Sequence, residues 1–399
     1  MIEDVFRTHL KESKIFSNRD ALSPHFVPDT LPNRERQIEE LSRTLAPILS
    51  GRKPENVFIY GKTGVGKTAV TRYVLRKLED FAKEHEIPVK GIYINCRIHD
   101  SRHRVLMKVA DALFPGENFL GLSTTHIYDR ILSRVSEKGL RLIVVLDEID
   151  KLKGISETVY ALNRANDELE RGSISIIGIS NNLTFKESLD ARTKSTLCQK
   201  EMIFPPYNAE ELRRILEQRA QIAFKKGAVD PSAIALAAAY AAKQSGDARY
   251  ALALLLRAGE LAEEENAERV TEDHVRKARE KVEEDIVLDM IKTLPQQEQI
   301  VLLALARLIS ARKGIRKLGE GETVITSGEL FEAYVKTAKE LGVSPVSDRW
   351  FREYISELDT YGIIRATPAG KGFRGNTRVI RLNIPADKVL KVLEGMDLA

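Results

Sequence analysis

The sequence predicts an α/β domain built on a parallel sheet, followed by a helical domain and a C-terminal winged helix. Three observations carry that reading. Short apolar runs alternate with helical patterns through the first half of the chain, the signature of parallel strands covered on both faces. An alanine- and leucine-rich, glycine-poor stretch follows at 208–285, with apolar residues at helical spacing. The remainder then reads helix, helix, helix, hairpin, the order of a winged helix.

Taken in order, strands are expected at "NVFIYG" (56–61), "GIYINC" (91–96), "RLIVVLD" (141–147), "SIIGIS" (175–180, extended back through Ser173 and Ile174) and "EMIFPP" (201–206). Helices separate them, as at 68–85 and 157–170, and the domain is placed at 20–208 behind an N-terminal extension, 1–19. The helical lid domain is placed at 209–285; within it "SGD" breaks the pattern, and Asp247 is positioned to accept bonds from the free amides of the next helix. Residues 286–399 form the winged-helix domain, with helices at 289–311, 327–341 and 347–361 and strands at "IIRAT" and "RVIRLNI". In the third helix Phe351, Ile355 and Leu358 share a core-facing side, Gly362 ends the run, and Arg349 and Arg352 are left outside.

Composition excludes several classes. The formal charge is only +4, from 62 basic and 58 acidic residues, so affinity for a polyanion must come from local clustering. Cys96 and Cys198 alone make neither a disulfide scaffold nor a zinc site. No apolar run approaches the ~20 residues of a membrane span, and "MIEDVFRTHLKESK" lacks the apolar centre of a signal peptide. A cytoplasmic protein without a membrane partner is therefore expected.

Residues 61–68, "GKTGVGKT", match the phosphate-loop pattern in full, directly after a strand and directly before a helix. Gly61, Gly64 and Gly66 let backbone amides approach phosphate oxygens, and the helix start adds its partial positive charge. Val65 and Ala69, inside and just behind the loop, are counted with it. Lys67 would reach the β- and γ-phosphates of ATP or ADP, and Thr68 would bind Mg²⁺. The strand "RLIVVLD" delivers Asp147 and Glu148 at its C-terminal end, where ligands of open α/β sheets bind. Asp147 is expected to hold Mg²⁺ through water and Glu148 to polarise the attacking water. One further strand, "GIYINC", lies between the two motifs, which favours the additional-strand ATPases over small GTPases and nucleotide kinases.

With these motifs in place the chain resembles the AAA+ ATPases. "SIIGISNNL" is similar to their sensor 1 strand, with Asn181 facing the γ-phosphate; "LDARTKSTL" to the segment bearing the arginine finger, Arg192; and "SGDARYALALL" to sensor 2, with Arg249. More narrowly, "HFVPDTLPNRERQIEEL", "FPPYNAEELRRIL" and "SGDARYALALLLRAGELAE" resemble archaeal initiators of the origin-recognition-complex and cell-division-cycle-six family, over about residues 15–385. That resemblance implies adenine contacts at Val27, Pro28 and Tyr207 and a nucleotide contact at Arg219. Asn33 stands where the family usually has a histidine.

The loop "ATPAGKGFRGNTRVIRL" (366–382) holds Lys371, Arg374, Arg378 and Arg381 and no acid. Lys371, Arg374 and Arg378 on a glycine-rich hairpin tip suit DNA phosphates, for a log-log salt slope of roughly −3, while Arg349 and Arg352 suit base edges. Phe373 and Asn376 take places where relatives carry arginine, which implies weaker binding or a shifted sequence preference. The long connection at 97–140 corresponds in the family to a motif whose loop, near "PGENFLGLSTT", touches the minor groove; an extra helix packed on the sheet is the competing reading. The cluster "ARKGIRKLG" (311–319) reads as a solvated helix end.

The resemblance implies a replication initiator: a weak ATPase whose slow hydrolysis acts as a switch, with origin duplex DNA, the replicative helicase and other initiator subunits as partners. A clamp-loader-like or remodelling ATPase and a winged-helix signalling NTPase are the alternatives.

Overall fold

The computed structural model describes residues 13–24, 26, 28–313, 325–368 and 377–396. The chain divides into two compact units, Met1–Ala278 and Arg279–Ala399.

The first unit is organised by five parallel strands, β1 (Val57–Tyr60), β2 (Val89–Asn95), β3 (Arg141–Asp147), β4 (Ser173–Ser180) and β5 (Lys200–Ile203), in the spatial order β2-β3-β4-β1-β5. All five expected strands are therefore present. Alternation along β3 shows how the sheet is covered: Leu142, Val144 and Leu146 pack into one apolar cluster, Ile143 and Val145 into another on the opposite face. The helices supplying those faces are α1 (Glu35–Leu45), α2 (Lys67–Glu84), α3 (Arg102–Leu113), α4 (Thr124–Lys138), α5 (Ile155–Glu168), α6 (Phe185–Ser188) and α7 (Ala191–Leu197). Both α3 and α4 lie in the long connection, where Val105, Leu106, Val109, Ile127 and Ile131 are buried against the sheet. The connection is thus a helical pair joined to the core by its apolar stripes.

Three helices follow in this unit, α8 (Ala209–Ala223), α9 (Pro231–Gln244) and α10 (Ala248–Glu264). Asp247 caps α10 as its position suggests, accepting from the amides of Arg249 (2.6 Å) and Tyr250 (3.3 Å). Asn208 and Glu211 close a capping box at the start of α8.

Helix α11 runs unbroken from Glu272 to Thr293, through the 285/286 boundary expected from sequence. A second helix, α12, spans Gln296–Lys313. The single helix expected at 289–311 is therefore two, because Pro295 has no amide hydrogen to continue the α11 ladder. The second unit continues with β6 (Ile325–Thr326), α13 (Ser327–Glu340), α14 (Asp348–Thr360), β7 (Ile364–Pro368), β8 (Arg378–Leu382) and α15 (Ala386–Leu393). Its antiparallel sheet has the order β6-β8-β7. Sequence reading missed β6, too short for periodicity, and α15. Phe351, Ile355 and Leu358 of α14 are buried with Tyr334 of α13 and Leu302 and Leu305 of α12, and Gly362 ends α14 at φ 73°.

Candidate nucleotide site and candidate nucleic-acid interface

A cavity of about 730 Å³ opens in the first unit where the C-terminal ends of β1 and β3 meet the start of α2 and the helical segment. Gly64, Val65, Gly66, Lys67, Thr68 and Ala69 line it, with Asp147, Glu148 and Asn181 opposite and Pro28, Tyr207, Arg219 and Arg249 along the walls. Sequence reading named each of these. Gly61 does not line the cavity; its carbonyl accepts from Lys67. Arg192 is exposed on α7 with its guanidinium 3.7 Å from the Tyr160 ring, away from this cavity. Val27 lies outside the described residues.

The glycines are required by what surrounds them. A Cβ at residue 64 would lie 1.6 Å from an Asp247 carboxylate oxygen, and one at residue 66 would lie 2.7 Å from the Tyr207 hydroxyl. Both have positive φ, 67° and 91°, which glycine adopts without strain. The Ala248 amide also donates to the Gly64 carbonyl at 3.1 Å, joining the loop to α10.

Lys67 is buried, and its ammonium donates to the carbonyls of Gly61 (2.7 Å) and Lys62 (2.7 Å) and to Asn181 Oδ1 (2.8 Å). Burial lowers its pKa to about 8, with the Asp147 charge opposing the shift. Thr68 Oγ1 donates to Asp147 Oδ2 at 2.7 Å, and the Glu148 amide donates to Asp147 Oδ1 at 2.9 Å. Glu148 itself sits at φ 52°, in the left-handed region that a side-chain-bearing residue seldom adopts. Asn95 Nδ2 approaches Glu148 Oε1 at 3.5 Å. The hydroxyl of Thr68 beside the carboxylate of Asp147 is an all-oxygen donor set, the kind Mg²⁺ takes.

Sequence reading did not single out Tyr93, Arg72 or Arg34, nor the Asn95 just described, all of which line the cavity. Tyr93, on β2, donates its hydroxyl to Asp147 Oδ2, and burial with that bond pushes its pKa up. Arg72 lies 3.9 Å from the Tyr93 ring. Arg34 is only 2% exposed: Nε donates to the Val65 carbonyl (2.9 Å), Nη2 to the Pro205 carbonyl (2.7 Å), and the guanidinium stacks 3.7 Å from the Tyr207 ring. Tyr207 is thus held between Arg34 and Gly66, and burial raises its pKa to about 12. Arg219 donates to the carbonyls of Ala21 (2.8 Å) and Phe26 (2.7 Å), so it straps down the N-terminal segment beside the cavity it lines.

In the second unit Arg349 and Arg352 are exposed on the first turns of α14, and Arg352 pairs with Asp348 at 2.7 Å. Arg378, exposed at the start of β8, donates to Ser356 Oγ of α14 at 3.1 Å. Lys371 and Arg374, with Phe373 and Asn376, lie outside the described residues, as does most of the 311–319 cluster. In the α3–α4 loop Glu117 pairs with Arg130 and Leu120 is 74% exposed. Among the described residues no helix is long and apolar enough to cross a membrane.

Family models match along the chain: an AAA ATPase domain at 30–177, a Cdc6 AAA+ ATPase-type lid domain at 213–280 and a CDC6 C-terminal winged helix domain at 289–392. The ORC1-type DNA replication protein of Pyrococcus furiosus is 42% identical over 98% of this chain and 93% of its own length. That of Thermococcus kodakarensis is 42% identical over 96% and 92%. The solved Aeropyrum pernix ORC1 protein in complex with DNA is 41% identical, covers 96% of this chain and 98% of its own, and superposes with a TM-score of 0.78. With that identity sustained across an AAA+ site, a lid and a winged helix, the chain belongs to the ORC1-type DNA replication proteins, the ORC1/Cdc6 family of AAA+ ATPases.

Proposed function

We propose that this chain is a replication initiator that binds ATP or ADP with Mg²⁺, grips origin duplex DNA through its winged helix, and helps recruit or load the replicative helicase. The observation that carries the reading is a pairing within one family member. A complete phosphate loop bonded to a helical lid coexists with a helix and hairpin whose outer surface bears Arg349, Arg352 and Arg378.

In the nucleotide site the loop amides and the start of α2 hold the phosphates. Lys67 exchanges its loop carbonyls for phosphate oxygens, and Arg249 approaches from the lid side. Mg²⁺, when bound near Thr68 and Asp147, supplies charge neutralisation across the phosphates. Glu148 orients and polarises water, and Asn181, released by Lys67, faces the terminal phosphate. Arg192 projects away from its own cavity, which supports its action on a neighbouring subunit's nucleotide. A lone subunit then lacks one source of transition-state stabilisation, so hydrolysis is slow and serves as a switch.

Phosphate contacts from Lys371, Arg374 and Arg378 give affinity, and α14 gives sequence preference. Footprinting on genomic DNA, at low and at ~200 mM salt and with and without ATP, tests the reading. Protection is expected at a discrete origin; in the Lys371→Ala, Arg374→Ala, Arg378→Ala triple variant it disappears while ATP binding persists. Protection confined to promoters, or unchanged in the triple variant, would remove the initiator assignment.

A further inference from the structure

Trp350 is the chain's only tryptophan, and 59% of its surface is exposed. It stands in the first turn of α14, next to Arg349 and on the side away from the Arg352–Asp348 pair. The core-facing side of that helix is already filled by Phe351, Ile355 and Leu358. Successive helical residues step about 100°, which sets Trp350 on a flank beside Arg349. Leaving an indole in water forgoes one of the largest apolar burials a side chain offers.

The surroundings say what covers it. Arg349 beside it and Arg378, which reaches Ser356 of the same helix, are cations that suit a polyanion, while Arg352 is paired with Asp348 and Glu353 is exposed one turn on. The start of a recognition helix is also the part that meets base edges. Indole offers an apolar edge and a single N–H donor, and no acceptor. It therefore has nothing for the cytosine amino group. The major-groove edge of thymine presents a methyl group next to a carbonyl acceptor, matching both halves of the indole.

We propose that Trp350 is a specificity-determining contact to thymine in the major groove, its ring packed on the C5-methyl while neighbouring arginines hold the strand. The proposal rests on the DNA-binding reading above and adds a base preference to it.

The test uses the full chain, duplexes that it selects from a random-sequence pool, and a scrambled duplex of the same composition. On saturation with a selected duplex, Trp350 emission moves to the blue and is quenched. Trp350→Ala weakens the selected duplex by roughly tenfold and leaves the scrambled one nearly unchanged. Its salt slope stays that of the parent chain, because no charge is removed. Uracil in place of thymine, which deletes the methyl, weakens the parent chain and has no effect on Trp350→Ala. Trp350→Phe, keeping an aromatic edge, restores most of the affinity and shows that the loss is not misfolding. Unchanged emission at saturation, or a Trp350→Ala chain that keeps the full preference, overturns the proposal alone, provided Arg349→Ala with Arg378→Ala still abolishes binding. A parent chain that binds no duplex overturns both this proposal and the reading beneath it.

Discussion

Lys67 donates every ammonium hydrogen to its own loop and to Asn181, yet burial still holds its pKa near 8. Desolvation outweighs the neighbouring Asp147 charge. A polyphosphate favours the ammonium, so the bound pKa lies above the free one. Below pH 8 the lysine is charged in both states and affinity is flat; above it, binding takes up a proton and affinity falls by up to about tenfold per pH unit. Calorimetric titration with ATP in two buffers of different ionisation enthalpy at pH 9 should register that proton, and at pH 6.5 should not. Arg34 shows the opposite lesson. In sequence it looks like a solvent-facing residue beside a strongly amphipathic helix, whereas its planar fork joins the Val65 and Pro205 carbonyls inside the protein.

At the level of elements, α12 carries an unusual burden: Glu298 in its first turn is 2% exposed, shares a hydrogen bond with Glu357 of α14, and leaves Oε2 without a partner. The helix dipole favours a carboxylate there by up to ~1 kcal/mol, but burial beside a second carboxylate wins and raises its pKa to about 7. Between the unfolded value of 4.5 and 7 the folded state keeps a proton that the unfolded chain has lost. That stability is full below 4.5 and lost as pH rises through 7. Glu298→Gln, permanently neutral, should stabilise the protein by about 1–2 kcal/mol at pH 8 and change little at pH 4, read from urea unfolding. The strands of the first unit and the phosphate loop were legible because continuous β-branched runs and glycine spacing are local signals. Tyr93 was not, since a tyrosine in a strand reads as packing until the β2–β3 register sets it opposite Val145, from where its hydroxyl reaches Asp147 two residues on. Nor was the α11–α12 break read, because apolar spacing continues across Pro295.

For the whole molecule, near-balance of 62 basic and 58 acidic residues hides a division of labour between two compact units. Each unit has its own core, and the proposed ligands fall one to each. Scanning calorimetry should then resolve separate responses. ATP with Mg²⁺ at ~100-fold over its Kd adds about 2.7 kcal/mol to the unit carrying the phosphate loop, and selected duplex raises the other transition. A single transition moved equally by either ligand would show that the two cores unfold together. The hydrogen bond between lid and loop has its own implication: because the Ala248 amide holds the Gly64 carbonyl, with Asp247 wedged alongside, α10 cannot tilt without dragging the phosphate cradle's backbone. On the proposed reading, release of a bound nucleotide and movement of the helix above it would be, mechanically, one motion.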